Sequence, residues 1–278
     1  MKGLQGALSG HRPEEEGTAP AGRARGPGSG PAPWYDGRMS DDVPWIRARV
    51  ADVRQETPLD RTLFFELDPE VRRAFVWQPG QHITVRLPDE VPPKPRPYSL
   101  SGADGPGRPV RITVRNGGSW GLPVYERPIG TVVDLSAPRG AFDLDVPAGD
   151  DAVLVAGGSG VAPFRALVEA WVARGAGGHV TLLQASRQRD HLVFADEWSA
   201  WERDVPGFTW RPTVTGPDDA AAWPGARGRF GRDALKASLR DPRRTVVAAC
   251  GPKDLVADTM AWARELGVPE DRCRKEAW

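Results

Sequence analysis

The chain has 278 residues, and its 37 lysines and arginines are balanced by 37 aspartates and glutamates, so no overall positive field favours nucleic acid or an anionic membrane surface. No apolar run approaches the length of about eighteen residues that a spanning helix needs, and the amino terminus has no apolar leader, which reads as a cytoplasmic protein. The two cysteines, Cys250 and Cys273, are too few for a disulfide scaffold, a four-cysteine zinc site or an iron–sulfur cluster, so redox work has to rest on an organic cofactor or another protein.

Residues 1–42 are rich in Gly, Pro, Ala and Arg without helical or strand periodicity, and a disordered tail is expected there. Over 43–147 the pattern changes to short β-rich runs set apart by Pro and Gly: Ile46–Val53, Thr62–Leu67, His82–Leu87, Tyr98–Ser101, Val110–Arg115 and Thr131–Ser136. With no helical pattern between them, these runs predict a small antiparallel barrel. Over 148–278 strand and helix alternate: Ala152–Ala156 then Phe164–Arg174, Val180–Gln184 then His191–Trp201, and Val246–Ala249 then Lys253–Leu266, with Phe208–Val214 and Arg232–Leu239 between. That rhythm predicts an open, mostly parallel sheet covered by helices on both faces.

Within the barrel, Gln78-Pro79-Gly80-Gln81-His82 reads as a turn entering a strand. In Arg96-Pro97-Tyr98-Ser99-Leu100-Ser101, an arginine suited to bidentate phosphate pairing is followed on the same strand face by a tyrosine that can stack on a flat heterocycle, then by a serine donor. The same tetrad also fits a strand whose tyrosine packs in the core. Val114-Arg115-Asn116-Gly117-Gly118-Ser119-Trp120 reads as a strand ending in an anion-binding loop. In the second half, Val153 to Ala156 is a buried strand leading into Gly157-Gly158-Ser159-Gly160 and then a helix with Pro163 in its first turn. Glycines let the backbone approach a pyrophosphate, and the helix start supplies positive dipole. An ordinary strand-to-helix turn fits the same residues, but neither an ATPase phosphate loop nor the Gly-x-Gly-x-x-Gly of dehydrogenases does. Ser186-Arg187-Gln188-Arg189 follows the second α/β strand and suits a 2′-phosphate, with Asp190 close by. Ala249-Cys250-Gly251-Pro252 ends a buried strand at the ligand-collecting end of the sheet, where a thiol is reactive or simply a small buried hydrophobe. The four histidines, His11, His82, His179 and His191, lack ligand spacing.

Taken in order, with Pro138-Arg139-Gly140-Ala141-Phe142 before the glycine turn and Glu276-Ala277-Trp278 at the end, this series resembles the ferredoxin–NADP reductase family over residues 45–278. The resemblance implies an FAD-binding antiparallel Greek-key β-barrel followed by an NAD(P)-binding α/β domain, with hydride transfer in the cleft between them. It implies that Arg96 and Pro97 lie at the flavin pyrophosphate, that Tyr98 stacks on the isoalloxazine, and that Ser99 hydrogen-bonds near flavin N5. Val114, Gly117, Gly118 and Ser119 would present backbone to phosphate, and Gly157, Gly158, Gly160 and Pro163 would cradle the dinucleotide pyrophosphate. Cys250, Gly251 and Pro252 would sit beside the nicotinamide, Ser186 and Arg187 at its 2′-phosphate, and Trp278 over the flavin face, with Ser99, Cys250, Glu276 and Trp278 forming the catalytic set. A Gly-Gly-Ser loop also occurs in FMN-binding oxygenase reductases, whereas the Pro138–Phe142 run favours FAD; NADPH is favoured over NADH. No metal is implied. A fused ferredoxin domain is expected to be absent, so electrons would pass to a separate acceptor protein such as a ferredoxin or an oxygenase component. A reductase of a small molecule or free flavin, and a flavin-binding regulatory subunit, are the alternative readings.

Overall fold

The first strand alternates buried and exposed side chains over most of its length, as a strand with one face on a core does: β1 (Ile46–Thr57) turns through Pro58-Leu59 into the antiparallel β2 (Asp60–Leu67). This computed structural model describes residues 44–277 except 106, 141, 143–145, 176, 217–222 and 224, so the tail expected over 1–42 and Trp278 lie outside the described residues. After β2 come a short helix α1 (Pro69–Ala74), β3 (His82–Arg86), β4 (Arg96–Ser99), β5 (Val110–Arg115), a second helix α2 (Gly118–Tyr125) and β6 (Val132–Leu135). The six strands run in the order β4-β3-β6-β1-β2-β5. An antiparallel bridge between Leu100 and Ile112, with the Ser101 amide donating to the Arg111 carbonyl at 3.0 Å, closes them into a barrel. Because β6 sits between β1 and β3, and β5 beside β2, two connections cross the barrel ends, which is Greek-key topology. Leu63, Ile83, Val85, Leu100, Ile112 and Leu135 fill its interior with no exposure, each worth about 1.5–3 kcal/mol of burial.

The two helices depart from the helix-free barrel expected from sequence. Asp68 caps α1 by accepting from the Glu70 amide at 2.9 Å, with Pro69 in the first turn. Residues 118–120, expected within a loop, and the five that follow form α2 because Val124 and Tyr125 are buried against the barrel core and Leu122 packs partly on it.

The second half contains β7 (Asp151–Gly157), α3 (Ala162–Ala173), β8 (Val180–Ser186), α4 (Ala195–Asp204), β9 (Phe208–Val214), β10 (Ala226–Arg227), α5 (Arg232–Ser238), β11 (Thr245–Gly251), α6 (Lys253–Glu265) and β12 (Cys273–Ala277). All six strands are parallel, in the order β10-β9-β8-β7-β11-β12. β11 is buried at every position and β7 at all but its first, the unbroken burial expected of central parallel strands. One face packs Leu154, Phe164, Leu182 and Trp198, and the other Val153, Val155, Val247 and Met260. α4 begins at Ala195 rather than His191, because Leu192, Val193 and Phe194 are drawn into the core and Phe194 takes a left-handed φ of 62° to start the helix. Strand order reverses between β7 and β11, which opens a crevice at their carboxyl ends. Among the described residues no helix is long and apolar enough to cross a membrane.

Candidate functional site

That crevice holds a cavity of about 630 Å³. β7 delivers Gly157 to its floor, a tight 3-10 turn over Gly158–Val161 follows, and α3 starts with Pro163 in its first turn, as the glycines and proline predicted. Gly158 has φ +56°, and a Cβ there would lie 2.7 Å from Arg115 Nη1, so glycine serves both the backbone angle and the approach of the arginine. Gly157, Gly158, Ser186, Arg187 and Pro252 all line the cavity. Gly160 and Pro163 are buried beneath the turn, and Gly251 closes the end of β11. The Ser186 hydroxyl donates to the His191 carbonyl at 3.1 Å, which holds the loop carrying Arg187 against the cavity mouth.

The sequence reading missed the barrel's share of this cavity. Leu59, from the β1–β2 turn, and Arg115, at the end of β5, form part of its wall. Arg115 lies 3.6 Å from the fully buried carboxyl of Asp60, which also accepts from the Thr57 hydroxyl at 2.6 Å. Burial raises the Asp60 pKa, against the opposing pull of Thr57 and Arg115. An arginine directly before the Asn116-Gly117-Gly118 run was the available signal.

Where barrel and sheet meet, three of the expected catalytic residues converge. Ser99 ends β4, Cys250 lies on β11, and Glu276 pairs with Cys250 across the β11–β12 ladder. Ser99 Oγ donates to Glu276 Oε2 at 3.3 Å, and Cys250 Sγ reaches the same oxygen at 3.7 Å. Burial pushes the Cys250 thiol far up, helped by the neighbouring Glu276, so it remains a neutral donor. Burial also raises the Glu276 pKa from its usual 4.5, with Ser99 and Cys250 opposing. A carboxyl with a raised folded-state pKa stabilises the fold below its unfolded value and loses that contribution as pH rises through the folded value. Glu276→Gln, which never carries the buried charge, should therefore melt at a higher temperature than wild type at pH 7. The gap should close as pH falls below about 4.5; thermal melts across that range check it, and a gap independent of pH would refute the assignment.

On β4, Arg96 makes a contact that the sequence did not suggest. Its guanidinium is fully buried, and Nη1 and Nη2 donate to the two carboxylate oxygens of Glu90 at 2.7 Å each, with Nη1 also reaching the Lys94 carbonyl at 2.7 Å. The fork expected to meet phosphate thus already holds a carboxylate. Pro97 is exposed beside it, while Tyr98 packs partly on the barrel core. Among the described residues the buried Tyr98 hydroxyl has no hydrogen-bond partner, and burial pushes its pKa up to about 12. Val114 lies wholly within the barrel core, and Gly117 precedes α2 without a side-chain cap, leaving the amides of Gly118 and Ser119 at an open helix start. The orphaned Tyr98 hydroxyl and this uncapped helix are polar groups of the kind a flavin would satisfy, so the residues fit the cofactor. Trp278 lies outside the described residues.

Residues 154–261 match the family model described as an oxidoreductase NAD-binding domain. The chain is 29% identical over 237 residues to ferredoxin–NADP reductase B of Sorangium cellulosum (strain So ce56), covering 81% of this chain and 94% of that protein. It is 31% identical over 225 residues to a probable dihydroorotate dehydrogenase B electron transfer subunit of Methanopyrus kandleri, covering 79% and 75%. It spans 59% and 56% of the length of two other relatives, a demethylase reductase subunit and a monooxygenase reductase component. Among solved structures, a ferredoxin NADP+ reductase from Neisseria gonorrhoeae with bound FAD and NADP superposes with a TM-score of 0.71 at 20% identity, covering 84% of this chain and 98% of that one.

Proposed function

The chain belongs to the ferredoxin–NADP reductase family of FAD- and NAD(P)-binding oxidoreductases, and on that premise we propose that it takes a hydride from NADPH onto FAD and passes the electrons singly to a separate acceptor protein. The observation that carries the reading is the meeting of Ser99, Cys250 and Glu276 on one carboxylate oxygen, with Cys250 two residues along the chain from Pro252, which lines a cavity walled by both the barrel and the sheet. When bound, FAD supplies the chemistry of accepting a hydride and releasing its electrons one at a time. The chain's own residues then have four tasks. The Gly157–Val161 turn and Arg115 receive the dinucleotide's phosphates. The amides at the start of α2, with the Tyr98 hydroxyl, hold the flavin. The single Ser99 hydroxyl proton, which Glu276 accepts in the structure, turns to the developing negative charge once the flavin is in place, and Glu276 keeps the Cys250 thiol oriented. The packed walls of the cleft exclude water.

A protein acceptor is supported by the two relatives that are reductase parts of a demethylase and a monooxygenase. Free, unpaired cysteines suit a cytoplasmic setting. Arg187 at the cavity mouth favours the 2′-phosphate of NADPH. A charge-assisted contact there is worth about 1.5–3 kcal/mol, so kcat/KM with NADPH should exceed that with NADH by roughly tenfold or more. Arg187→Ala should erase most of the difference. Anaerobic stopped-flow reduction of the FAD-loaded protein by each nucleotide tests both points: no reduction by either refutes the reading, and faster reduction by NADH refutes the preference.

A further inference from the structure

We propose that Arg165 and Glu169 of α3 are positioning residues that set the separation between the flavin strand and the nucleotide turn, an inference that rests on the reductase reading above. Both lie on the helix that starts directly after Gly157–Val161, one turn apart. Arg165 Nη1 donates to the Ser101 carbonyl at 2.9 Å, and Glu169 Oε2 accepts from the Ala103 amide at 2.8 Å. The segment they grip begins two residues beyond Ser99. One rigid helix therefore carries the nucleotide turn at its start and holds the flavin strand a turn later.

Each member of the clasp is itself held. Glu197 of α4 accepts from Arg165 Nε at 2.7 Å and from its Nη2, and the rings of Phe194 and Trp201 lie 5.6 and 5.8 Å from the guanidinium carbon. Glu169 also takes Arg108 Nη1 at 2.7 Å and Arg111 Nη2 at 3.0 Å, and Arg111 packs where a side chain on Gly102 would stand. Arg165 is only 4% exposed. Buried ion pairs give little net stability, because desolvation offsets the attraction and apolar residues of the same volume would glue the halves equally well. Such residues could not fix direction. A planar guanidinium and a carboxylate, each bonded to a main-chain group of the opposite half, permit a single register between them. Hydride transfer is sensitive to displacements of about 1 Å, so register is what the reaction needs from this contact.

The test uses the FAD-loaded Glu169→Gln and Arg165→Lys proteins. At saturating NADPH the limiting rate of flavin reduction by anaerobic stopped flow should fall about a hundredfold in Glu169→Gln and roughly tenfold in Arg165→Lys. FAD should be retained and the Kd for NADP+, read by difference absorbance, should stay within about threefold of wild type. The Ala103 amide should exchange faster in both variants without any nucleotide present. If Glu169→Gln fails to fold, Arg108→Ala removes one partner of the same carboxylate and is judged by the same three measurements. A limiting rate equal to wild type alongside faster Ala103 exchange would make these ordinary interface contacts and overturn the proposal alone. A wild-type protein that neither NADPH nor NADH reduces overturns the reductase reading, and this proposal with it.

Discussion

Ser99→Ala is expected to slow reduction of the bound flavin by about 10²–10³-fold while the protein keeps its flavin and its melting temperature. The magnitude follows from geometry. Ser99 Oγ is the hydroxyl that the barrel sends across the cleft, and it is held at 3.3 Å from the Glu276 oxygen that Cys250 also approaches. Alanine keeps the strand, because Ser99 forms its ladder with His82 through the main chain. What disappears is the one proton that Glu276 holds poised in the structure and that turns to the developing charge, and such a donor acts far more strongly in a water-poor cleft than in solution. The thiol cannot replace it: burial keeps Cys250 protonated, and S–H is a weak donor. Anaerobic stopped-flow absorbance reads the rate directly, and a Ser99→Ala protein reduced as fast as wild type would remove Ser99 from the mechanism.

Gly251→Ala should cost the fold about 1–3 kcal/mol and weaken NADP+ binding by tenfold or more. Gly251 ends β11 with φ +145°, and a Cβ there would stand 3.0 Å from the Gly157 amide nitrogen and 3.1 Å from its carbonyl oxygen. Both obstacles are main chain at the start of the nucleotide turn, so relief requires β7 and β11 to part where the cavity opens. Gly267→Ala is the comparison, since it has φ +86° but nothing among the described residues within 4 Å of the added carbon, and so carries the angular strain alone. Urea unfolding of both variants separates the collision from the strain, and equal losses in the two would show that β7 and β11 tolerate the methyl group.

How far the sequence disclosed this molecule depended on the range over which each feature is determined. The nucleotide turn was legible to within two residues, because an unbroken apolar strand, a glycine run and a proline in the next helix's first turn all act locally. The barrel strands were legible from their own local β-rich runs, except that β1 runs four residues past the expected Val53 to Thr57. α2 was not: eight residues containing Pro123 and beginning at Gly118 carry breaker signals, and only packing against the barrel makes them helical. The start of α4 was misplaced because the helix pattern continues through Leu192–Phe194, which the core claims instead. Among site residues, Ser99, Cys250 and Glu276 stood in recognisable motifs, whereas Arg115 and Leu59 reach the cavity only through the docking of the two halves. Arg165 and Glu169 have the spacing of any solvent-facing helix pair, and their partners lie on other elements. Glu90 was invisible as the partner of Arg96 because the pair depends on how the intervening loop folds back.

The bridge between Leu100 and Ile112 has a consequence for behaviour in concentrated solution. A six-stranded sheet left open would present two rows of unsatisfied main-chain groups as templates for strand addition from a neighbouring molecule. The bridge pairs the chain just past β4 with β5 at Leu100–Ile112 and Ser101–Arg111, and so shortens both rows. The other sheet cannot close, but its margins are poor templates: β10 has two residues, one of them Arg227, and β12 carries Arg274, Lys275 and Glu276 in succession. Short length and charge are the devices by which open sheets resist aggregation, and here they protect the very strand that brings Glu276 to the cleft.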